Sequence, residues 1–197
     1  MAKRGGPPYL AEVLNRLILV MVAIGVLGFL GVNMRSCTQP PTGLEAYARG
    51  SLQRLTSLDA PPVQPALTFR DAEGAEMRLE DFRGRKVLLN VWATWCAPCV
   101  VELPTLEAVA RERDDIEVVT ISLDRRPEDA AEFLAREGFD LPEWWDASFS
   151  LPGKLAAPGL PITILYNEGG REVGRLAGEA NWTSPEADAL LDYFAAQ

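Results

Sequence analysis

The sequence predicts an α/β fold, a mixed central sheet with flanking helices and an N-terminal hairpin, carried behind an N-terminal transmembrane helix. Three observations predict it. Two apolar runs of strand length, Lys86–Ala93 and Glu117–Leu123, bracket a segment of helical periodicity, which is the mark of a β-α-β unit. Two further strand pairs, one on either side of that unit, are joined across Gly-containing turns. Ahead of everything, Leu17–Val32 (LILVMVAIGVLGFLGV) runs for sixteen residues without a charge or a strongly polar group.

The apolar run comes first in the chain. With Asn33 and Met34 it reaches eighteen residues before Arg35, against the ~17–25 that a membrane-crossing helix needs. Its successor, NMRSC, offers no small-x-small cleavage site, so an uncleaved anchor over residues 17–34 is expected. Lys3, Arg4 and Arg16 precede it and Arg35 alone follows closely. The positive-inside rule then makes residues 1–16 a cytoplasmic tail and sends the rest across the membrane. In a bacterium this means single-pass insertion in the inner membrane, with the folded domain in the oxidising periplasm. A lipoprotein reading of Cys37 fails, because Arg35 stands where a lipobox requires small apolar residues. Cys37 remains a bystander or a link between two anchors.

Residues 35–62 read as a linker and a short amphipathic helix that either packs on the domain or stands as a stalk, with Leu44, Tyr47, Leu52, Leu55 and Leu58 at three- to five-residue steps. Ala60-Pro61-Pro62 ends it, and the catalytic domain is expected over 63–197. Within that domain, Ala66–Arg70 and Met77–Leu79 form a hairpin with Gly74 in the turn. Lys86–Ala93 is a strand buried on both faces. Cys96 to about Arg113 is a helix presenting Val100, Leu103, Leu106, Val109 and Ala110, kinked at Pro104. Glu117–Leu123 is a second buried strand, and Arg126–Glu137 a helix closed by Gly138. The segment Asp140–Pro158 packs a small helix near the site. Ile162–Tyr166 and Arg171–Leu176 pair across N-E-G-G, and Ser184–Ala196 is a final helix with Ser184 as N-cap.

Charge and composition exclude several functions. The first 35 residues carry a net +3, and from residue 36 onward 27 acids oppose 15 bases. An acidic body repels phosphate backbones, so no nucleic-acid partner is expected. The chain has no histidine. Ser–His and Cys–His nucleophile pairs, imidazole metal ligands and C-x-x-C-H haem attachment are all ruled out. Three cysteines cannot complete a four-thiolate zinc site, so neither metal nor cofactor is expected.

Cys96 and Cys99 sit where a buried strand turns into a helix. The helix N-terminus carries unpaired amides and roughly half a positive charge, which favours a thiolate on Cys96. Two intervening residues bring Cys99 beneath it, close enough to form a redox-active disulfide. Cys96 then attacks a substrate disulfide and Cys99 resolves the mixed disulfide. A C-x-x-C beside a β-α-β pattern is a specific signal for this chemistry. Glu102 lies one helical turn past Cys99, on the same side.

The string WATWCAPCVVELP on that turn resembles the thioredoxin superfamily, and specifically its anchored branch, the TlpA, ResA and CcmG reductases. The resemblance covers residues 63–197 and the anchor; GEANWTS (178–184) and the stalk are most similar to TlpA. It implies a cis-proline at Pro161, with Leu160 offering backbone to an extended substrate. It also implies a substrate surface shaped by Trp95 and the inter-cysteine pair Ala97 and Pro98. The aspartate that thioredoxins keep six residues before the first cysteine is here Asn90, and in this branch the acid at Glu102 serves the second cysteine. The alternative for Glu102 is a solvated helix acid. Trp92 belongs to the core.

A reductant is favoured over an oxidant, since no histidine separates the cysteines as in DsbA-type oxidants. Electrons are expected from a membrane thiol donor. The resemblance implies client proteins in respiratory-chain assembly: copper-site cysteines of cytochrome oxidase and its copper chaperone, or alternatively the haem-binding cysteines of apocytochrome c. A copper-binding assembly factor is the reading from another class. A peroxidase lacks its motif, with Leu89 where that motif needs proline.

Overall fold

The computed structural model describes residues 8–35, 43–71, 73–142, 144–146 and 148–197. Cys37, residues 36–42 of the linker and the first seven residues of the expected cytoplasmic tail lie outside them. The chain divides into two compact units, Met1–Pro41 and Thr42–Gln197.

The described residues of the first unit form one helix, α1 (Pro8–Arg35), longer at both ends than the span read from hydropathy. Its side chains are described as far as Gly25, and Leu17, Leu19 and Met21 are exposed. Among the described residues no helical stretch is long and apolar enough to cross a membrane.

The second unit opens differently from expectation. The segment predicted as an amphipathic helix within a linker forms two 3-10 turns, Gly43–Tyr47 and Gly50–Leu52, and then a strand, β1 (Leu55–Ser57). Gly50 has φ +54°, which a continuous helix of L-residues does not accommodate. The apolar spacing that suggests a helix instead buries Leu44, Leu52 and Leu55 in the domain core. The compact unit therefore begins some twenty residues before position 63.

Next come the hairpin β2 (Thr68–Arg70) and β3 (Glu76–Arg78), and then β4 (Val87–Trp92), every residue of which is buried. Helix α2 (Ala97–Glu112) holds Pro104 in its interior and leads to β5 (Glu117–Ser122), parallel to β4. Helix α3 (Pro127–Glu137) ends on Gly138 in the left-handed conformation. The expected small helix, α4 (Leu151–Lys154), is preceded by a strand the pattern did not reveal, β6 (Trp144–Trp145), parallel to β5. Two residues give no legible period, and the pair is fixed by its neighbours: Trp144 packs edge-on to Phe69 and Phe82. The antiparallel pair β7 (Ile162–Tyr166) and β8 (Glu172–Ala177) precedes α5 (Pro185–Ala195), capped by Ser184, whose Oγ accepts from Ala187 N at 3.2 Å.

The eight strands run β1-β8-β7-β4-β5-β6-β2-β3 in one mixed sheet. β4 and β5 lie inside the sheet, which explains their nearly continuous apolar sequences. β1 takes the open edge of β8, pairing Leu55 with Leu176, and so satisfies backbone groups that would otherwise be unpaired. Helix residues Leu103, Leu106, Phe133, Leu190 and Phe194 complete the core. Trp92, fully buried, packs on Phe133 at 5.9 Å, as its core assignment requires.

Candidate active site

Strand β4 delivers the chain to the C-terminal end of the parallel pair, where α/β folds collect their functional groups. The turn there is built by Asp124, 2% exposed, at the end of β5. Its carboxylate accepts from Thr94 N at 3.1 Å, Thr94 Oγ1 at 2.7 Å and Ser122 Oγ at 2.8 Å. These bonds fix the residues just ahead of Cys96. Sequence reading missed Asp124; the available signal was its place directly after a buried strand parallel to the cysteine-bearing one.

Cys96 is the N-cap of α2, with its Sγ accepting from Cys99 N at 3.3 Å. Cys96 and Cys99 are joined as a disulfide, with Cα atoms 5.3 Å apart. Cys96 is 7% exposed and Cys99 fully buried. Such an order matches an outer attacking sulfur and an inner resolving one. On reduction, the helix N-terminal amides stabilise negative charge at Cys96.

Glu102 is 1% exposed, so the solvated alternative is overturned. Asn90 Nδ2 donates to its Oε1 at 2.5 Å and Ala180 N to its Oε2 at 2.9 Å. Asn90 Nδ2 also donates to Thr163 Oγ1 at 2.9 Å. Burial pushes the Glu102 pKa from 4.5 up to about 7. The bonds from Ala180 and Asn90 and the nearby Trp182 indole oppose the rise, and Glu179 adds to it. The Trp182 influence is one of proximity, since its buried Nε1 has no partner at hydrogen-bonding geometry. Asn90 is therefore not merely the loss of a thioredoxin-type acid. It is an amide donor that holds the acid on the neighbouring helix. The contribution of Ala180 from a distant loop had no sequence signal.

The Leu160–Pro161 bond is cis, as the resemblance implied. Pro161 and Leu160 line a groove of about 680 Å³ together with Pro98. Trp95, 64% exposed, borders a separate cavity with Asp124 and Phe149 on the other side of the turn. Ala97 is exposed and lines neither. The residues expected to meet substrate thus fall on two separate depressions, Pro98, Leu160 and Pro161 lining one and Trp95 the other.

A buried acid titrating near neutrality, one turn beyond an inner cysteine, equips the site for disulfide exchange with internal proton transfer. Comparison with known proteins agrees. The Redoxin family matches residues 60–191. The thiol-disulfide oxidoreductase ResA of Bacillus thuringiensis is 31% identical over 117 residues, 58% of this chain and 68% of that protein. Among solved structures, one described as a thiol:disulfide interchange protein DsbE from Chlorobium tepidum superposes with a TM-score of 0.63 at 23% identity, over 71% of this chain and 99% of its own. StoA from Bacillus subtilis gives 0.54 at 24% identity, over 67% and 98%. At those identities the two structures speak for the fold, which is thioredoxin-like. The chain belongs to the Redoxin family and is a thiol–disulfide oxidoreductase of the ResA type.

Proposed function

We propose that the chain works as a membrane-anchored reductase that opens disulfides in client proteins of respiratory-chain assembly. The observation that carries the exchange reading is Glu102, buried one turn from Cys99 with its pKa pushed up to about 7. Such a group takes a proton from the inner thiol and returns it near neutral pH. The reductase direction is favoured by the histidine-free pair Ala97-Pro98 between the cysteines.

The Cys96 thiolate attacks one client sulfur; a bond forms between them, the client disulfide breaks, and the departing client thiolate takes a proton. Cys99 gives its proton to Glu102 and attacks the Cys96 sulfur. The mixed disulfide breaks, the second client sulfur leaves as a thiolate and takes the proton held on Glu102, and Cys96–Cys99 is oxidised. Two electrons and two protons from a membrane thiol donor restore the starting state.

Anchoring is supported by the uncharged run from Leu17, which continues in sequence to Met34, and by the helical path of Pro8–Arg35. The basic residues ahead of it favour a periplasmic catalytic domain. Copper-site cysteines of an oxidase subunit and of its copper chaperone are the clients favoured by the TlpA-like stretch 178–184. The ResA relatives favour a second reading, in which the clients are the haem-binding cysteines of apocytochrome c. A Cys99→Ser variant in the native host tests both. It should accumulate mixed disulfides through Cys96, and Cys96→Ser should abolish insulin reduction. Capture of copper-site proteins supports the first reading, capture of apocytochrome the second, and capture of neither removes both. A reduction potential near ~−120 mV would make the chain an oxidant instead.

A further inference from the structure

The groove beside the disulfide has two walls of different origin. One is the exposed face of α2, with Pro98 and Val101, and the floor is Leu160–Pro161. The other comes from residues 51–54, ahead of the position where the family match begins. That segment is firmly seated. Leu52 and Leu55 are buried, β1 extends the sheet, Tyr47 packs on Tyr193 at 5.4 Å, and Ser51 Oγ accepts from Asn181 N at 3.1 Å.

Arg54 is its chemically distinctive residue. Although 27 acids follow residue 35, Arg54 makes no ion pair among the described residues. Its guanidinium lies over Gly178, where a Cβ would meet Nη1 at 2.8 Å, and Gly178 has φ +99°. The positive φ favours glycine here, and its missing Cβ lets the guanidinium approach closely. Gly178 N in turn donates to Pro161 O at 2.9 Å, so the residue beneath the guanidinium is tied to the cis-proline loop. A smaller cavity of about 210 Å³, lined by Leu160 and Pro161, also borders Arg54. Glu179, exposed in the same groove, gives it one cation and one anion.

We propose that this added wall selects clients, with Arg54 pairing a carboxylate in the client segment next to the attacked cysteine. The proposal rests on the reductase reading above and names the recognition chemistry of that site. An unpaired guanidinium presents a planar fork that matches a carboxylate bidentately. Glu179, of opposite sign, disfavours a second acid in the same segment and so gives the groove a direction.

The test uses the pre-reduced, purified full-length chain in single-turnover reduction of three peptides. These share one internal disulfide and differ in a flanking Glu, Gln or Lys. Second-order rate constants are compared as ratios to the Gln peptide at low ionic strength and in ~1 M salt, where screening acts within ~3 Å. The wild-type chain should favour the Glu peptide by about three- to fivefold, the scale of an exposed ion pair, and lose that preference in high salt. Arg54→Lys should keep the preference partly and Arg54→Glu should invert it towards Lys. A wild-type Glu-to-Gln ratio of one, or a ratio that Arg54→Glu leaves in place, overturns the proposal while leaving the reductase reading intact. A wild-type chain that reduces none of the peptides overturns both.

Discussion

Glu102 shows how a single side chain acquires its acidity from its surroundings. As a helix acid in water it would ionise well below neutrality, whereas buried between Asn90 and Ala180 it titrates at about 7. A pKa raised on folding means that the folded chain holds this proton more tightly than the unfolded chain. The associated stability is fully present below pH 4.5 and is lost as pH rises through about 7. The 2.5-unit difference corresponds to about 3 kcal/mol, as an order of magnitude. Urea unfolding of the oxidised chain at pH 5 and pH 8.5 should therefore show a smaller pH response for Glu102→Gln than for wild type, by up to that amount. The same variant should lose the ionisation near pH 7 from the rate of mixed-disulfide resolution. An equal pH response in both chains would remove Glu102 from its buried role. The sequence places Glu102 on the Cys99 side of α2 through helical spacing alone. It could not reveal that a backbone amide 78 residues away completes its binding.

At the scale of elements, the legible parts were those with a period long enough to read. β4, β5, α2 and α3 were recovered to within a few residues, because each carries a full strand or several helical turns of consistent patterning. Residues 43–58 show the opposite case. Three- to five-residue apolar steps suit a helix, but they equally suit two tight turns and a strand that all face one core. The choice was made by the unpaired edge of β8. This yields a sharp expectation. Leu52 is fully buried, so Leu52→Ala should lower domain stability by about 2–5 kcal/mol in chemical unfolding. A stalk outside the domain would show almost no loss.

For the molecule as a whole, the chain divides into two compact units, with the cysteine pair in the second. If residues 17–34 span a bilayer, as proposed, the full chain should remain with the membrane through alkaline carbonate extraction. A variant lacking residues 8–35 should then appear in the soluble fraction. A full chain released by carbonate would count against the anchor, and the reactive site would stand unaffected, since every side chain described in it belongs to Thr42–Gln197.

Sequence alone determined the α/β class, the central strand order from β4 through α2 to β5, the reactive cysteine pair and the absence of imidazole chemistry. These follow from local periodicity, composition and spacing, which a linear chain displays directly. Tertiary structure alone decided the burial of Glu102, the Asp124 clamp on the cysteine turn, the Trp144–Trp145 strand and the wall formed by residues 51–54. Each depends on contacts between segments far apart in the chain, where the energy of burial and hydrogen bonding is set by the partner and not by the local pattern.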